Sequence, residues 1–298
     1  MAPDRVGGFE GLVAAPVEGL AAASGAAPAP ADRLRSSPPD GIRTVARMSG
    51  PSTTRVVLVR HGEAECNVSG VCGGIKGCTG LTAKGVGQVT ALADRLAVTG
   101  ELAGADALYA SVLPRAIETA ELLAPALRSV GPDGSFGPTP TIIPECSLCE
   151  LHPGEADGLT WEEFSARYEG PDWDEHPDHP IAPGGESWTG FVLRVAGALE
   201  AVAARHPGDL VVIACHAGVI EASLLAMLPL VDGRAGARLQ LRTLHASLTT
   251  WEVDQGRWRL LGYNDASHLR LLDLRDARDP QDREGTVTTP KPMAAHPA

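Results

Sequence analysis

The sequence predicts an α/β protein, a three-layer α/β/α arrangement around a mostly parallel central sheet. Three observations carry this. Two short apolar runs, residues 56–59 and 210–214, are rich in strand formers and read as strands buried on both faces, as in the interior of a parallel sheet. Stretches with helical periodicity alternate with the strand-like runs, the pattern of βα units. Both apolar runs end in a histidine, His61 and His216, where open α/β sheets carry their ligand sites.

Taken in order, residues 1–53 are dominated by Ala, Pro, Gly and Ser and are expected to form a disordered leader, because they offer too little apolar surface to offset the entropy of ordering. Met48 stands just ahead of the first strand and is a candidate natural start, which an intact mass of the native protein would test. Glu18 interrupts the Ala-rich stretch 11–31, and no basic segment leads into a compact apolar one, so neither signal peptide nor anchor is expected. The first strand ends in Arg60-His61-Gly62-Glu63, followed by a Gly- and Cys-rich loop over 64–80. Thr82 is placed to cap a helix running to about residue 97. Residues 105–110 form a second strand, and Pro114 suits the first turn of a helix reaching about residue 129. Residues 141–143 are a third strand.

Residues 150–185 are the least regular part and are expected to act as a lid over a site. A helix follows from Gly184-Gly185-Glu186-Ser187 to about residue 205. The fourth strand spans 209–215 and leads through His216-Ala217-Gly218 into a helix ending near 228. Stretches 238–253 and 258–261 are the last strands, and a polar, Pro-rich tail covers 275–298. One domain over 54–274 is therefore expected between two disordered ends.

Composition narrows the function. A net charge of −12 leaves no basic stripe for nucleic acid, although a local arginine cluster can still attract an anion into a cleft. With 4% aromatic residues, Leu, Val and Ala must fill the core. No segment is long and apolar enough to span a membrane. Six cysteines, Cys66, Cys72, Cys78, Cys146, Cys149 and Cys215, are read as reduced thiols of a cytoplasmic protein. Cys146-x-x-Cys149 invites zinc, with Cys72 and Cys78 to complete the set, but the spacings fit no standard module and no metal or cofactor is expected. His176 and His179 read as part of a polar surface loop. A homodimer is neither required nor excluded.

The signature Arg60-His61-Gly62-Glu63 resembles that of the histidine phosphatase superfamily, which includes the cofactor-dependent phosphoglycerate mutases. Further matches follow in order: Asn67; Leu81-Thr82 with Gly85 and Gln88; Ser111 with Arg115-Ala116 and Glu118-Thr119-Ala120; the stretch from Leu148 through Glu150 to Thr160; and Gly185-Glu186-Ser187 with Arg194. The resemblance implies a phosphoglycerate mutase-like fold with His61 as the nucleophile that forms a phosphohistidine. It implies that Arg60, Asn67, Arg115 and His216 hold the phosphoryl oxygens, and that Glu150 is the general acid and base. Structural ion pairing remains the plainer alternative for the two arginines, a loop contact for His216, and a turn role for Asn67. Glu155 and Asp157 read as solvated loop charges. Cys149, Ala156 and Ala217 depart from the family pattern, where arginine, tryptophan and glycine are common.

The segment around Glu150 is the phosphatase-like version, and no Arg-rich insertion of the mutase kind is found. The expected activity is metal-independent hydrolysis of a small phosphorylated metabolite. The alternative is a phosphoglycerate mutase-type phosphoryl transferase.

Overall fold

Val56 and Leu58 face one side of the first strand and Val57 and Val59 the other, and all four are fully buried. The computed structural model describes residues 53–168, 170–173, 175–228 and 241–271. The expected leader up to residue 52, the start at Met48, the tail over 275–298 and the beginning of the 238–253 stretch lie outside the described residues. The strands are β1 (Thr54–Arg60), β2 (Ala107–Ala110), β3 (Ile142–Pro144), β4 (Leu210–Cys215), β5 (Leu248–Asp254) and β6 (Arg257–Asp265). The helices are α1 (Glu65–Ser69), α2 (Ala83–Thr99), α3 (Pro114–Leu123), α4 (Trp161–Arg167), α5 (Trp188–Arg205) and α6 (Ala217–Met227).

The sheet order is β3-β2-β4-β1-β5-β6. The first four of these are mutually parallel, whereas β5 runs antiparallel to β1 and β6 antiparallel to β5. The strand that begins the domain thus has one parallel and one antiparallel neighbour. Its continuous apolar run reports burial on both faces, not the direction of its partners.

The alternation of side chains builds two cores. Val56, Leu58, Val211 and Ile213 pack with Phe191, Val195 and Leu199 of α5 and Val219 and Ile220 of α6. Val57, Val59, Val212 and Ala214 pack with Val89, Leu92 and Leu96 of α2 and Ala120 and Leu123 of α3. Each large aliphatic side chain buried this way contributes on the order of 1.5–3 kcal/mol. The helices start where their caps allow: Thr82 Oγ1 accepts from Gly85 N at 3.0 Å, Ser187 Oγ accepts from Gly190 N at 3.1 Å, and Pro114 opens α3.

Several elements differ from expectation: the last strand, expected over 258–261, spans Arg257–Asp265, and the irregular stretch 150–185 contains α4. The loop over 64–80 contains α1, which Asn67 stabilises by accepting the Ala64 N–H at 3.0 Å. The helix expected to reach residue 129 ends at Leu123 and tightens into a 3-10 turn, Ala124–Leu127, containing Pro125, whose nitrogen has no hydrogen to continue the helical ladder.

This topology decides where a site forms. β2, β4 and β1 are neighbours whose carboxyl ends present Ser111, His216 and His61 along one edge. His61 N donates to Cys215 O at 2.9 Å and Ser111 N to Ala214 O at 3.0 Å, so the three residues stay in register. After β1 the chain turns to the face of α2, and after β4 to the face of α6, which opens a crevice between the two strands.

Candidate active site

His61 leaves β1 beside a tight backbone approach. A Cβ on Gly62 would lie 2.5 Å from Gly85 O, and one on Gly85 would lie 2.0 Å from Glu63 O. Two facing glycines therefore let the first turn of α2 press against the loop that holds the histidine. The His61 ring is fixed from both ends: Nδ1 lies 2.6 Å from Gly62 O, and Arg115 Nε donates to Nε2 at 3.1 Å. With Nδ1–H donated to the carbonyl, the Nε2 lone pair faces the crevice. Burial, then Arg115, then Arg60 hold the His61 pKa well below its ordinary value, so the ring is neutral at pH 7.

The cations are anchored by backbone carbonyls. Arg115 Nη1 donates to Gly73 O at 2.7 Å, and Arg60 donates to Thr243 O and reaches His245 Nε2 at 2.8 Å. Both arginines are buried. His216 caps α6 and is fully buried; its Nε2 lies 2.8 Å from Ser111 Oγ, and its Nδ1 has no protein partner. The His61 and His216 ring centres are 5.2 Å apart. Burial first, then Arg115 and His61, keep the His216 pKa well below the ordinary imidazole value.

Glu150 reaches the same crevice from the lid segment, its Oε2 accepting Gly218 N at 3.1 Å and its Oε1 accepting Leu151 N at 3.1 Å. The first contact places the carboxylate on the amino end of α6, the favourable end for an anion. Gly218 is needed there, because a Cβ would fall 2.2 Å from Glu150 Oε1.

Of the residues singled out in the sequence, His61, Arg60, Arg115, His216 and Glu150 converge. Asn67 lies on α1 just after β1, where its Oδ1 accepts the Ala64 N–H at 3.0 Å, a contact that does not use its side-chain NH2. Asp157 is not a solvated charge, since its carboxylate accepts from Lys76 N at 2.9 Å and Gly77 N at 3.0 Å and so ties the lid to the loop before α2. Glu155 is exposed as expected. Asn264 anchors the segment entering the site by accepting from Leu244 N and donating to Arg242 O, both at 2.7 Å.

His245 is an additional member of the cluster. It is buried, its ring centre is 5.6 Å from that of His61, and burial followed by Arg60 and His61 keeps its pKa well below normal. No motif surrounds it in the sequence. The nearest hint is backbone strain: Ala246 adopts φ 55°, while its N–H donates to Arg60 O at 3.0 Å. Such a conformation costs an alanine on the order of 1 kcal/mol, and it turns the chain so that His245 meets the arginine.

Arg194 holds the lid segment. Its Nη1 donates to Ser147 O at 2.8 Å and Cys149 O at 3.0 Å, its Nη2 donates to Glu150 O at 3.3 Å, and it grips Glu186 with two 2.7 Å bonds. Burial pushes the Glu186 carboxyl up, but the Arg194 and His152 contacts outweigh it and leave the pKa below normal. Arg194→Ala would strip three carbonyls and one carboxylate of their donors. It is expected to cost about 3 kcal/mol of stability and at least about tenfold in kcat, read from urea midpoints and steady-state rates.

A neutral imidazole with its reacting nitrogen exposed to two guanidinium groups, facing a carboxylate that can carry a proton, is a site suited to phosphoryl transfer. The family model of the histidine phosphatase superfamily (branch 1) matches residues 56–266. The chain belongs to this superfamily. A metal-independent phosphoserine phosphatase of Arabidopsis thaliana is 31% identical over 225 residues, covering 72% of this chain and 83% of the relative. A phosphoglycerate mutase-like protein of the same plant is 28% identical over 72% of this chain and 86% of its own length. Among solved structures, a mycobacterial glucosyl-3-phosphoglycerate phosphatase superposes with a TM-score of 0.56 at 25% identity, covering 70% of this chain and 98% of the other. Together the family and its phosphatase relatives support a phosphoric monoester hydrolase. Among the described residues no helix is long and apolar enough to cross a membrane.

Proposed function

We propose that the chain is a metal-independent phosphomonoesterase that hydrolyses a small phosphorylated metabolite in the cytoplasm through a phosphohistidine at His61. The arrangement of His61 carries this reading: Nε2 is unprotonated and is held against Arg115 by a 3.1 Å hydrogen bond. An incoming phosphoryl group would take over the Arg115 and Arg60 donors and the unpartnered edge of His216. Nε2 attacks phosphorus, the bond to the leaving oxygen breaks, and Glu150 supplies the proton to that oxygen. Water then attacks the phosphohistidine, Glu150 takes the proton back, and orthophosphate leaves with His61 restored. Donors fixed on the charge-bearing oxygens are worth several kcal/mol at the transition state.

We further read the leaving group as amine-bearing, with phosphoserine as the model substrate. Glu221 stands one helical turn beyond Gly218 on α6, and burial, followed by the nearby Glu150 carboxylate, raises its pKa to about 7. A second carboxyl behind Glu150 would favour an ammonium on the leaving group over a second anion. The lid over 150–185 holds one arginine, Arg167, and no lysine, which disfavours the mutase alternative, whose bisphosphate needs a cationic grip at its other end.

The test is phosphate release in excess EDTA from p-nitrophenyl phosphate, O-phosphoserine and 3-phosphoglycerate, the last also with its bisphosphate primer. The first two should be hydrolysed. Glu221→Gln should raise KM for O-phosphoserine about tenfold and leave p-nitrophenyl phosphate nearly unchanged. Equal effects on both would remove the amine reading and leave the phosphatase. Primer-dependent isomerisation without phosphate release would replace the phosphatase by the mutase.

A further inference from the structure

At the edge of the phosphoryl crevice, three metal-ligating side chains meet on the segment that carries Glu150, and one of them, Cys149, accepts at 3.2 Å from the Ser111 hydroxyl that also contacts His216. Cys146 Sγ lies 3.7 Å from Cys149 Sγ and 3.7 Å from His152 Nε2, and the three donor atoms all fall within 4.8 Å of one another. A tetrahedral zinc with bonds of about 2.3 Å to sulfur and about 2.0 Å to nitrogen separates two sulfurs by about 3.8 Å and a sulfur and a nitrogen by about 3.6 Å. The two spacings from Cys146 match that polyhedron, and Cys149 Sγ and His152 Nε2, within 4.8 Å of one another, need only a small adjustment to complete it.

A second observation concerns the other face of the imidazole. His152 Nδ1 lies 3.5 Å from Glu186 Oε2, while the His152 backbone N–H donates to the same oxygen at 2.9 Å. A carboxylate behind a histidine whose far nitrogen points at two thiols is the orienting arrangement of zinc-bound histidines. Glu186 is itself locked by Arg194, so the ring is aimed by a rigid group. The Cys146-x-x-Cys149 spacing alone directs attention to Cys72 and Cys78 as completing ligands. The fold supplies His152 instead, one helical turn's worth of sequence beyond Cys149.

We infer that Cys146, Cys149 and His152 bind one thiophilic divalent cation, zinc by its preference for this donor set, with a fourth position open to water. Cys149 is buried while Cys146 is exposed and the His152 side chain is 43% exposed, so the cation enters from solvent and keeps one face wet. Because Cys149 and His152 flank Glu150, the ion would clamp both sides of the residue proposed as general acid. The ion would adjoin the crevice through Cys149 and Glu150 but take no part in the transfer to His61, so activity in EDTA does not bear on it.

Full-length protein, reduced and stripped with EDTA, would be titrated with Zn2+ against a chromophoric chelator and, separately, with Co2+. One equivalent of zinc should bind per chain, and cobalt should give a thiolate charge-transfer band with the intense d–d bands of a tetrahedral centre. Cys146→Ser should abolish the charge-transfer band or weaken it, and both Cys146→Ser and His152→Ala should lower zinc affinity by about a hundredfold or more. Cys146→Ser should leave phosphate release in EDTA unchanged. The inference falls if the reduced protein binds no stoichiometric zinc, or if both variants bind it as tightly as the parent. Recovery of Cys146 and Cys149 as a disulfide from a protein that binds no zinc when reduced would identify a redox pair in its place.

Discussion

His61→Ala is expected to lose on the order of 10^4-fold or more in kcat/KM for p-nitrophenyl phosphate, with no phosphoryl adduct trapped on the protein. Two guanidinium groups and His216 would still bind the phosphate, so KM should change far less than kcat. Glu150→Gln separates the two half-reactions. p-Nitrophenolate leaves without a proton, so the variant should phosphorylate His61 at close to the normal rate and then stall, because water attacking the phosphohistidine has lost its base. A burst of nitrophenol and an accumulated phosphoenzyme, visible by intact mass, are the expected signature. With an alkyl phosphate the same variant should be slow from the first step and accumulate nothing. Residual His61→Ala activity equal to that of the parent would place the chemistry elsewhere.

How much of this could be read in the sequence depends on the range of the interactions involved. β1 and β4 were legible because full burial on both faces leaves a continuous apolar run, and α2 and α5 because Thr82 and Ser187 cap them locally. His61, Arg115, His216 and Glu150 were legible through motifs, and the fold brings all four to one crevice. His245 was not, because it meets Arg60 only after β5 pairs antiparallel with β1 and a strained turn at Ala246 swings it inward. The grip of Asp157 on the Lys76 and Gly77 amides spans about eighty residues and leaves no local mark. Asn67 joins a motif position to a local contact, its carbonyl oxygen held by the Ala64 N–H three residues earlier.

The burial that keeps the histidines neutral should make the protein acid-labile, and the size of the effect follows from counting protons. Burial and neighbouring arginines depress His61, His216 and His245 well below normal, and burial, then Arg95, brings His268 to about 4. The unfolded chain protonates these rings below about pH 6.5, whereas the folded chain does not. Stability is therefore insensitive to them above that pH and is lost as pH falls toward the folded values. Glu221, raised to about 7, acts in the opposite sense, since the folded chain already holds its proton where the unfolded chain does not until near pH 4.5. Four protons withheld by the folded chain against one it gains leave a net of at most three, so the slope reaches at most about 4 kcal/mol per pH unit where the unfolded histidines are protonated and the folded ones are not. Two such units, about 8 kcal/mol, amount to half or more of the roughly 5–15 kcal/mol that holds a domain folded. Urea midpoints should hold steady from pH 8 to 7 and drop steeply from about pH 6 to 5. A bound phosphate analogue such as vanadate should blunt the drop, because an anion between the rings favours their charged forms. A midpoint that stays flat to pH 5 would mean that the histidines take up protons in the folded state, and the neutral nucleophile on which the mechanism depends would be lost with it.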